Sequence, residues 1–162
     1  MIKYRVIVEI KWFQALFKEG IVGSYDEIKD QEDFMRKIYV DFSEADALRV
    51  KEIEKTTNHD VKAVEYFLKE KFDLIPALKE RKEFLHFTCT SEDINNLAYG
   101  MMIQRGVNKV LLSKLKNLIN LMNENFAKKF SGIGMMSRTH GQSATPTTIG
   151  KEIANFVFRI QR

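Results

Sequence analysis

The stretch SEDINNLAYGMMIQRGVNKVLLSKLKNLINLMNENFAKKF (residues 91–130) decides the fold class of this chain. Its apolar side chains recur mainly at spacings of three and four residues, which is typical of a helix packed against other helices. They include Ile94, Leu97, Met101, Leu111, Leu115, Leu118, Met122 and Phe126. At a rise of ~1.5 Å per residue the stretch predicts a helix of about 60 Å. A domain of this size cannot bury such a rod. We therefore expect helical partners from the same chain, from other subunits, or from both.

The composition indicates a globular protein. The chain has 162 residues, of which 44% are hydrophobic and 30% charged, enough for one domain or parts of two. The single cysteine, Cys89, excludes an internal disulfide and favours a reducing compartment. No window approaches ~20 consecutive apolar residues, and the first residues, MIKYRVIVEIKWFQ, do not resemble a signal peptide. We expect a cytoplasmic protein with no membrane partner.

The charge pattern argues against a nucleic-acid partner. The net charge is +4, but acidic and basic residues are interspersed along most of the chain. No basic run interleaved with aromatic residues stands out. A mild positive balance also suits a small polyanionic substrate.

Helical patterns also fill the first part of the chain. Residues 3–18 carry one apolar face, and residues 26–40 repeat the pattern more weakly. Ser43 and Asp46 have capping-box spacing for a helix that should end near Thr56, Thr57 and Asn58. Asp60 is predicted to cap the following helix, and Pro76 to open a short one.

A second helical pattern follows the rod. The sequence SGIG (131–134) should end the rod, and residues 135–145 read as extended or looped. We expect Thr145 to cap, and Pro146 to begin, a last helix that is still in full pattern at Arg162. Since a helical pattern also starts within the first three residues, we expect the chain to be a fragment of a longer protein.

All three histidines lie in polar breaks between helices: His59, His86 and His140. Each break ends at a predicted helix N-terminus, where free N–H groups bind carboxylates and phosphates. The pattern therefore favours a site for an anionic ligand. Simpler interpretations stay open at this point, since His86 would also suit a half-buried structural position and His140 an ordinary loop.

The other polar residues of these breaks also have simple interpretations. Asp60, Thr90 and Ser91 would serve as plain helix caps. His59 followed by Asp60 resembles a metal-ligand pair, but with one cysteine and no second spaced cluster we expect no metal site. No G-x-S-x-G nucleophile elbow is present, which disfavours a serine hydrolase.

Three segments together resemble the adenylosuccinate lyase family of the fumarase/aspartase superfamily, particularly its bacterial-type branch. They are EKTTNHDVKAVEYFLKEK (54–71), HFTCTSEDINNL (86–97) and SRTHGQSATPTTIGKEIAN (137–155). The resemblance covers about the first third to two-fifths of a family member. It implies an all-α fold, with an N-terminal helical domain (1–85) and the truncated beginning of a central helical bundle (86–162). In the family, long helices of four subunits form that bundle, and each active site takes residues from three subunits.

The resemblance also implies an activity in purine and AMP biosynthesis. Family members release fumarate by β-elimination from adenylosuccinate, giving AMP, and from the succinyl-carboxamide ribotide, without a cofactor. His140 matches the catalytic histidine that protonates the leaving nitrogen, a step suited to a group titrating near neutrality. The assignment of the acid to His140 rather than His59 rests on the resemblance alone.

Substrate-binding roles follow from the same matches. Asn58, His59 and Asp60 match a substrate-binding segment, and Thr90 and Ser91 match a pair that binds the succinyl carboxylate. Thr139 is a further carboxylate contact, and His86 is a residue near the site whose direct role is left open. Donors aimed at that carboxylate would stabilise the carbanion formed when a base removes the Cβ proton.

Important parts of the family pattern are absent. The mobile loop that carries the general base, a serine, does not occur in this chain, nor do most of the phosphate-binding residues. We therefore expect the chain by itself to be inactive. Two alternatives remain: a non-catalytic helical interaction module derived from the lyase, or another superfamily lyase, such as one acting on argininosuccinate.

Overall fold

The computed structural model describes residues 1–162, which form two compact units, Met1–Ile103 and Gln104–Arg162. The predicted all-α fold is confirmed, and the single exception is a two-stranded sheet. The helices are α1 (Ile2–Lys18), α2 (Glu32–Val40), α3 (Glu44–Thr57), α4 (Asp60–Phe72), α5 (Pro76–Lys79), α6 (Ser91–Gly106), α7 (Leu112–Met122) and α8 (Ile149–Gln161). The strands are β1 (Gly134–Thr139) and β2 (Gln142–Thr148). The predicted domain boundary at residue 85 stays a prediction. No helix is both long and apolar enough to cross a membrane.

The core of the first unit forms around α1 and α4. The predicted inward face of α1 is at most 1% exposed. Within it the rings of Phe13 and Phe17 pack tilted against each other, and Phe13 packs edge-on against Phe72 of α4. Helix α4 contributes a second buried face, as its apolar spacing predicts. The buried residues of these two faces are Val6, Ile10, Phe13, Phe17, Ala63, Val64, Phe67, Leu68 and Phe72. This packing fixes the two helices that carry Arg5, Glu9 and Asp60, which are discussed below.

A smaller apolar cluster ties α6 to α1 and α4. Val8, Val61, Ile94 and Ala98 are buried together, one or more from each of these three helices. The start of α6 is therefore held next to the start of α4 by direct packing.

The caps of α3 and α4 confirm one prediction and correct another. Ser43 and Asp46 form the predicted capping box, and α3 ends at Thr57. The N-cap of α4, however, is His59 rather than Asp60, because the His59 ring accepts the Lys62 amide while Asp60 is already helical. Asp60 instead accepts a hydrogen bond from the side chain of Arg5.

The helical rod continues into the second unit with two irregular turns. Helix α6 passes through a π-helical segment, Val107–Leu111, into α7, which is followed by a second one, Asn123–Lys128. Much of the predicted seam is uncovered: Leu111 is 50% exposed, Leu118 42% and Phe126 42%. These side chains form an apolar face that lies free in this chain.

A β-hairpin connects the rod to α8. Strands β1 and β2 pair antiparallel, and Met136 faces Pro146 in the register. The prediction that Pro146 begins a helix capped by Thr145 is therefore wrong. Thr148 caps α8 by accepting the Lys151 amide. Proline is tolerated in β2 because each strand of a two-stranded sheet is an edge strand.

Candidate functional site

The junction of α3 and α4 presents a histidine with a defined tautomer. Asn58 ends α3 in a left-handed conformation with φ of 52°, and His59 follows in an extended one. Nδ1 of His59 accepts the Lys62 backbone N–H at 3.1 Å. A nitrogen that accepts carries no proton, so the neutral ring holds its proton on Nε2. The helix cap therefore leaves Nε2 of His59 as the donor of the ring.

The loop before α6 positions two hydroxyl residues. His86 and Thr88 both have left-handed backbones, with φ of 60° and 62°. Thr90 then donates to Asp93 Oδ2 from its backbone N–H at 2.7 Å and from its hydroxyl at 2.9 Å. Helix α6 begins at Ser91. This arrangement places Thr90 and Ser91 at the helix N-terminus, where the helix dipole favours an anion.

The two predicted substrate-binding segments meet in the first unit. The ring Nε2 of His59 lies 3.2 Å from the hydroxyl oxygen of Ser91, although the residues are 32 positions apart in the chain. The neighbouring Asn58, Asp60 and Thr90 are exposed at the same two helix starts. The structure thus gathers five of the predicted residues into one polar cluster with several hydrogen-bond donors. Such a cluster is suited to a carboxylate or phosphate.

A buried arginine contacts one residue of this cluster, Asp60. Arg5 of α1 is buried, and its Nη2 lies 2.5 Å from Asp60 Oδ2. Its Nε donates to Asn95 Oδ1 at 2.9 Å. Burial opposes ionisation of Asp60, but the hydrogen bond and charge of Arg5 outweigh it and hold the pKa of this carboxyl below its usual value.

His86 pairs with a buried glutamate. Its Nδ1 lies 2.7 Å from Glu9 Oε1, and the Glu9 side chain is fully buried. The hydrogen bond to Glu9 raises the pKa of His86 above its ordinary value despite partial burial of the ring. The second oxygen of Glu9, Oε2, has no hydrogen-bond partner. His86 therefore contacts the interior of the first unit through Glu9.

Arg5 and Glu9 were not predicted from the sequence. They are four residues apart on α1, and both are buried. The available signal was their place beside the apolar face of an amphipathic helix, where a charged side chain needs a buried partner. The helical pattern therefore indicates that each charge has a partner, but it does not tell which residue the partner is.

Thr139 and His140 lie in the second unit, at the hairpin turn. His140 and Gly141 connect β1 to β2, and both have positive φ, 49° and 77°. Two-residue hairpin loops commonly need positive φ at both positions, because that geometry matches the twist of the strands. Glycine adopts it freely, whereas a histidine there is uncommon. The turn presents the exposed imidazole of His140 at the hairpin tip.

An apolar pocket of the first unit is not lined by these residues. It has a volume of about 690 Å³ and is lined mainly by α1 and α6, with Trp12, Cys89 and Leu97 among its walls. None of the predicted site residues lines it. Burial raises the pKa of the Cys89 thiol to about 11, so the thiol stays protonated near neutrality. No three His, Cys, Asp or Glu side chains are grouped as metal ligands.

Comparison with known proteins identifies the family of this chain. The model of the family described as Lyase matches residues 1–162. The chain belongs to the lyase family. Lyases similar to it include the adenylosuccinate lyases of Vibrio cholerae and Escherichia coli, each 47% identical over 163 residues, and that of Dictyostelium discoideum at 46% over 164. The first two matches cover 100% and the third 99% of this chain. The chain spans about a third of the length of these curated relatives, 35–36%.

Solved structures support the lyase fold. The chain superposes on a fumarate lyase from Mesorhizobium sp. BNC1 with a TM-score of 0.72 and 21% identity, covering 99% of this chain and 35% of that one. A β-carboxy-cis,cis-muconate cycloisomerase from Acinetobacter calcoaceticus sp. ADP1 gives 0.69 and 17%, covering 99% and 36%. At these identities the likeness concerns the fold alone.

Proposed function

We propose that this chain is part of an adenylosuccinate lyase and supplies the general acid and part of the substrate site. The observation that carries the proposal is the identity of 47% to two adenylosuccinate lyases over the whole of this chain. The substrates proposed are adenylosuccinate and the succinyl-carboxamide ribotide of purine biosynthesis. The activity belongs to the longer protein, in the cytoplasm.

The proposed reaction is a β-elimination. A base removes the Cβ proton beside a carboxylate of the succinyl group, and the electron pair forms the new C=C bond as the C–N bond breaks. The leaving nitrogen gains a proton from the acid, and the products are fumarate and the amine, AMP or the carboxamide ribotide. Negative charge accumulates on the carboxylate in the transition state, so fixed donors around it lower the barrier.

The polar cluster of the first unit is the proposed carboxylate-binding element. The Nε2–H of His59 faces the Ser91 oxygen, which leaves the Ser91 hydroxyl hydrogen and the free N–H groups of α6 as donors at a helix N-terminus. His59 and Thr90, whose hydroxyl donates to Asp93, are proposed as further substrate contacts. Asn58 and Asp60 are proposed as further substrate contacts. The ion pair with Arg5 lowers the pKa of Asp60, and Asp60 is proposed as an ionised hydrogen-bond acceptor for the substrate.

His140 is the proposed acid, with Thr139 as a carboxylate contact. The exposed tip of a hairpin can approach a substrate, and the strained histidine in the turn is of the kind found at functional positions. His86 is proposed to act indirectly, through Glu9. The base is a serine of the longer enzyme that lies outside this chain.

The exposed apolar face of the rod fits assembly of the intact enzyme. Leu111, Leu118 and Phe126 would be covered by long helices of other subunits in a homotetramer. Burying apolar surface contributes roughly 25 cal/mol per Å², so covering these side chains would favour the assembly.

Fumarate release tests the proposal. The longer protein containing this chain should convert adenylosuccinate to AMP and fumarate, followed by ultraviolet absorbance, and the 162-residue chain alone should show no turnover. Argininosuccinate serves as the competing substrate. Turnover of argininosuccinate instead of adenylosuccinate would refute the substrate assignment. Turnover by the chain alone would refute the proposal that the base lies outside this chain.

The non-catalytic module is the second candidate, because the exposed apolar seam would equally suit binding of helical partners. The coding sequence after Arg162 separates the two proposals. A downstream serine-bearing loop supports the enzyme, whereas a stop codon there supports the module.

A further inference from the structure

Arg5 occupies an unusual place for a charged side chain. It lies on the inner side of α1 with a side chain that is 9% exposed. Charged groups are rarely buried unless they are paired, since loss of hydration costs free energy. Arg5 meets this requirement with two acceptors on two other helices, Asp60 on α4 and Asn95 on α6.

Each acceptor lies next to a residue of the polar cluster. Asp60 directly follows His59, the N-cap of α4. Asn95 is four residues after Ser91, so the two share one face of α6, one turn apart. The contacts of Arg5 with these acceptors, 2.5 Å and 2.9 Å, therefore connect the two helix starts whose side chains meet at 3.2 Å.

We infer that Arg5 is a positioning residue that holds the ring of His59 against the hydroxyl of Ser91 by joining the first turns of α4 and α6. The planar guanidinium fixes the directions of its N–H donors, which a lysine ammonium cannot reproduce. The inference deepens the proposed function. It rests on that function for the claim that His59 and Ser91 bind the substrate. The geometry itself is testable without any substrate.

The proximity of the His59 ring to Ser91 is the readout. In proton NMR spectra of the chain, the through-space cross-peak between the His59 ring protons and the Ser91 β-protons, taken as a ratio to a cross-peak within His59, reports the population of this contact. The His59→Asn variant assigns its signals among the three histidines. Arg5→Lys should lower this cross-peak ratio about fivefold, the factor that corresponds to one ordinary hydrogen bond of ~1 kcal/mol.

Two asparagines of α6 provide a matched pair. Asn95→Ala removes one acceptor of Arg5 and should lower the cross-peak ratio in the same direction as Arg5→Lys. Asn96→Ala changes the exposed neighbour on the same helix and should leave the ratio unchanged. Because Asn95 is only half-buried, its variant also tests the inference if Arg5→Lys does not fold.

A purely structural role for Arg5 predicts a different result. Arg5→Lys and Asn95→Ala would then lower the melting temperature while the folded His59 kept its wild-type ratio, and the inference would be wrong. An equal change in Asn96→Ala would also overturn it. A longer protein without lyase activity would refute the proposed function but leave the cross-peak result standing. If the longer protein is active but the ratio is insensitive to Arg5→Lys and Asn95→Ala, the inference is refuted and the proposed function stands.

Discussion

Glu9 Oε1 and His86 Nδ1 lie 2.7 Å apart, although the two residues are separated by 77 positions in the chain. The pair joins α1 to the loop that precedes α6. The Glu9 side chain is fully buried and lacks the screening of water. The energy of this contact therefore depends on whether His86 is protonated and carries a positive charge.

Stability should fall as the pH rises through the titration of His86. The hydrogen bond to Glu9 raises the pKa of His86 above its ordinary 6.5 in the folded chain. The folded state therefore binds this proton more tightly than the unfolded state. The contribution is complete below pH 6.5 and is lost as the pH rises through the higher folded pKa. Urea unfolding between pH 6 and pH 8.5 measures this loss, and Glu9→Gln should flatten the profile. An unchanged slope in that variant would contradict the assignment.

Removal of His86 alone should be costly because it leaves Glu9 buried without its cation. His86→Ala should lower the free energy of unfolding by about 3 kcal/mol, the lower part of the range for broken buried pairs, since the His86 ring is partly exposed. Adding Glu9→Leu to His86→Ala should recover part of that loss, as measured by urea unfolding at pH 6. A double variant no more stable than the single one would argue against an uncompensated charge.

His59 should contribute to stability as the cap of α4. His59→Ala leaves the Lys62 amide without its side-chain acceptor and should cost about 1 kcal/mol. His59→Asn should keep most of that stability, because asparagine is a favoured cap. Ser43→Ala, at the capping box of α3, provides the comparison and should cost a similar amount in thermal unfolding. Equal melting temperatures for His59→Ala and the wild type would exclude the cap.

Gly150 should resist substitution because α8 approaches the preceding turn closely. An added Cβ would lie 2.2 Å from the carbonyl oxygen of Ala127 and 2.6 Å from the backbone of Ser131. Gly150→Ala should destabilise the second unit by about 1–3 kcal/mol, as overpacking does. Gly106→Ala, a helical position of the same unit with open space around it, should instead stabilise by about 0.5–1 kcal/mol. Circular dichroism melting curves distinguish the two, and a neutral Gly150→Ala would contradict the packing.

His140 should control the chemical step in the longer enzyme. His140→Ala should lower kcat by roughly 10²–10⁴, the usual effect of a general acid. His140→Asn tolerates the left-handed turn but supplies no acid near neutrality, so it should be equally impaired. Fumarate release under saturating adenylosuccinate measures both. Near-native turnover in His140→Asn would assign the residue to the turn rather than to catalysis.

Local patterns in the sequence were sufficient for most helices. The apolar period of α1 and the capping box at Ser43 depend on residues three or four positions apart, and both were predicted correctly. The end of α3 before Asn58 was predicted for the same reason, because poor helix formers cluster there. The hairpin was only partly predicted. Its extended backbone was expected, but Pro146 was placed in a helix rather than in β2, since pairing between strands is not encoded in proline's own preference.

The sequence by itself determined the all-α fold class and the polar breaks that carry His59, His86 and His140. Only the tertiary structure decided that His59 meets Ser91, that Arg5 joins Asp60 to Asn95, and that Glu9 pairs with His86. The physical reason is that helical periodicity follows from neighbours along the chain, whereas a buried charge is stabilised by whichever partner the packing brings within hydrogen-bond distance.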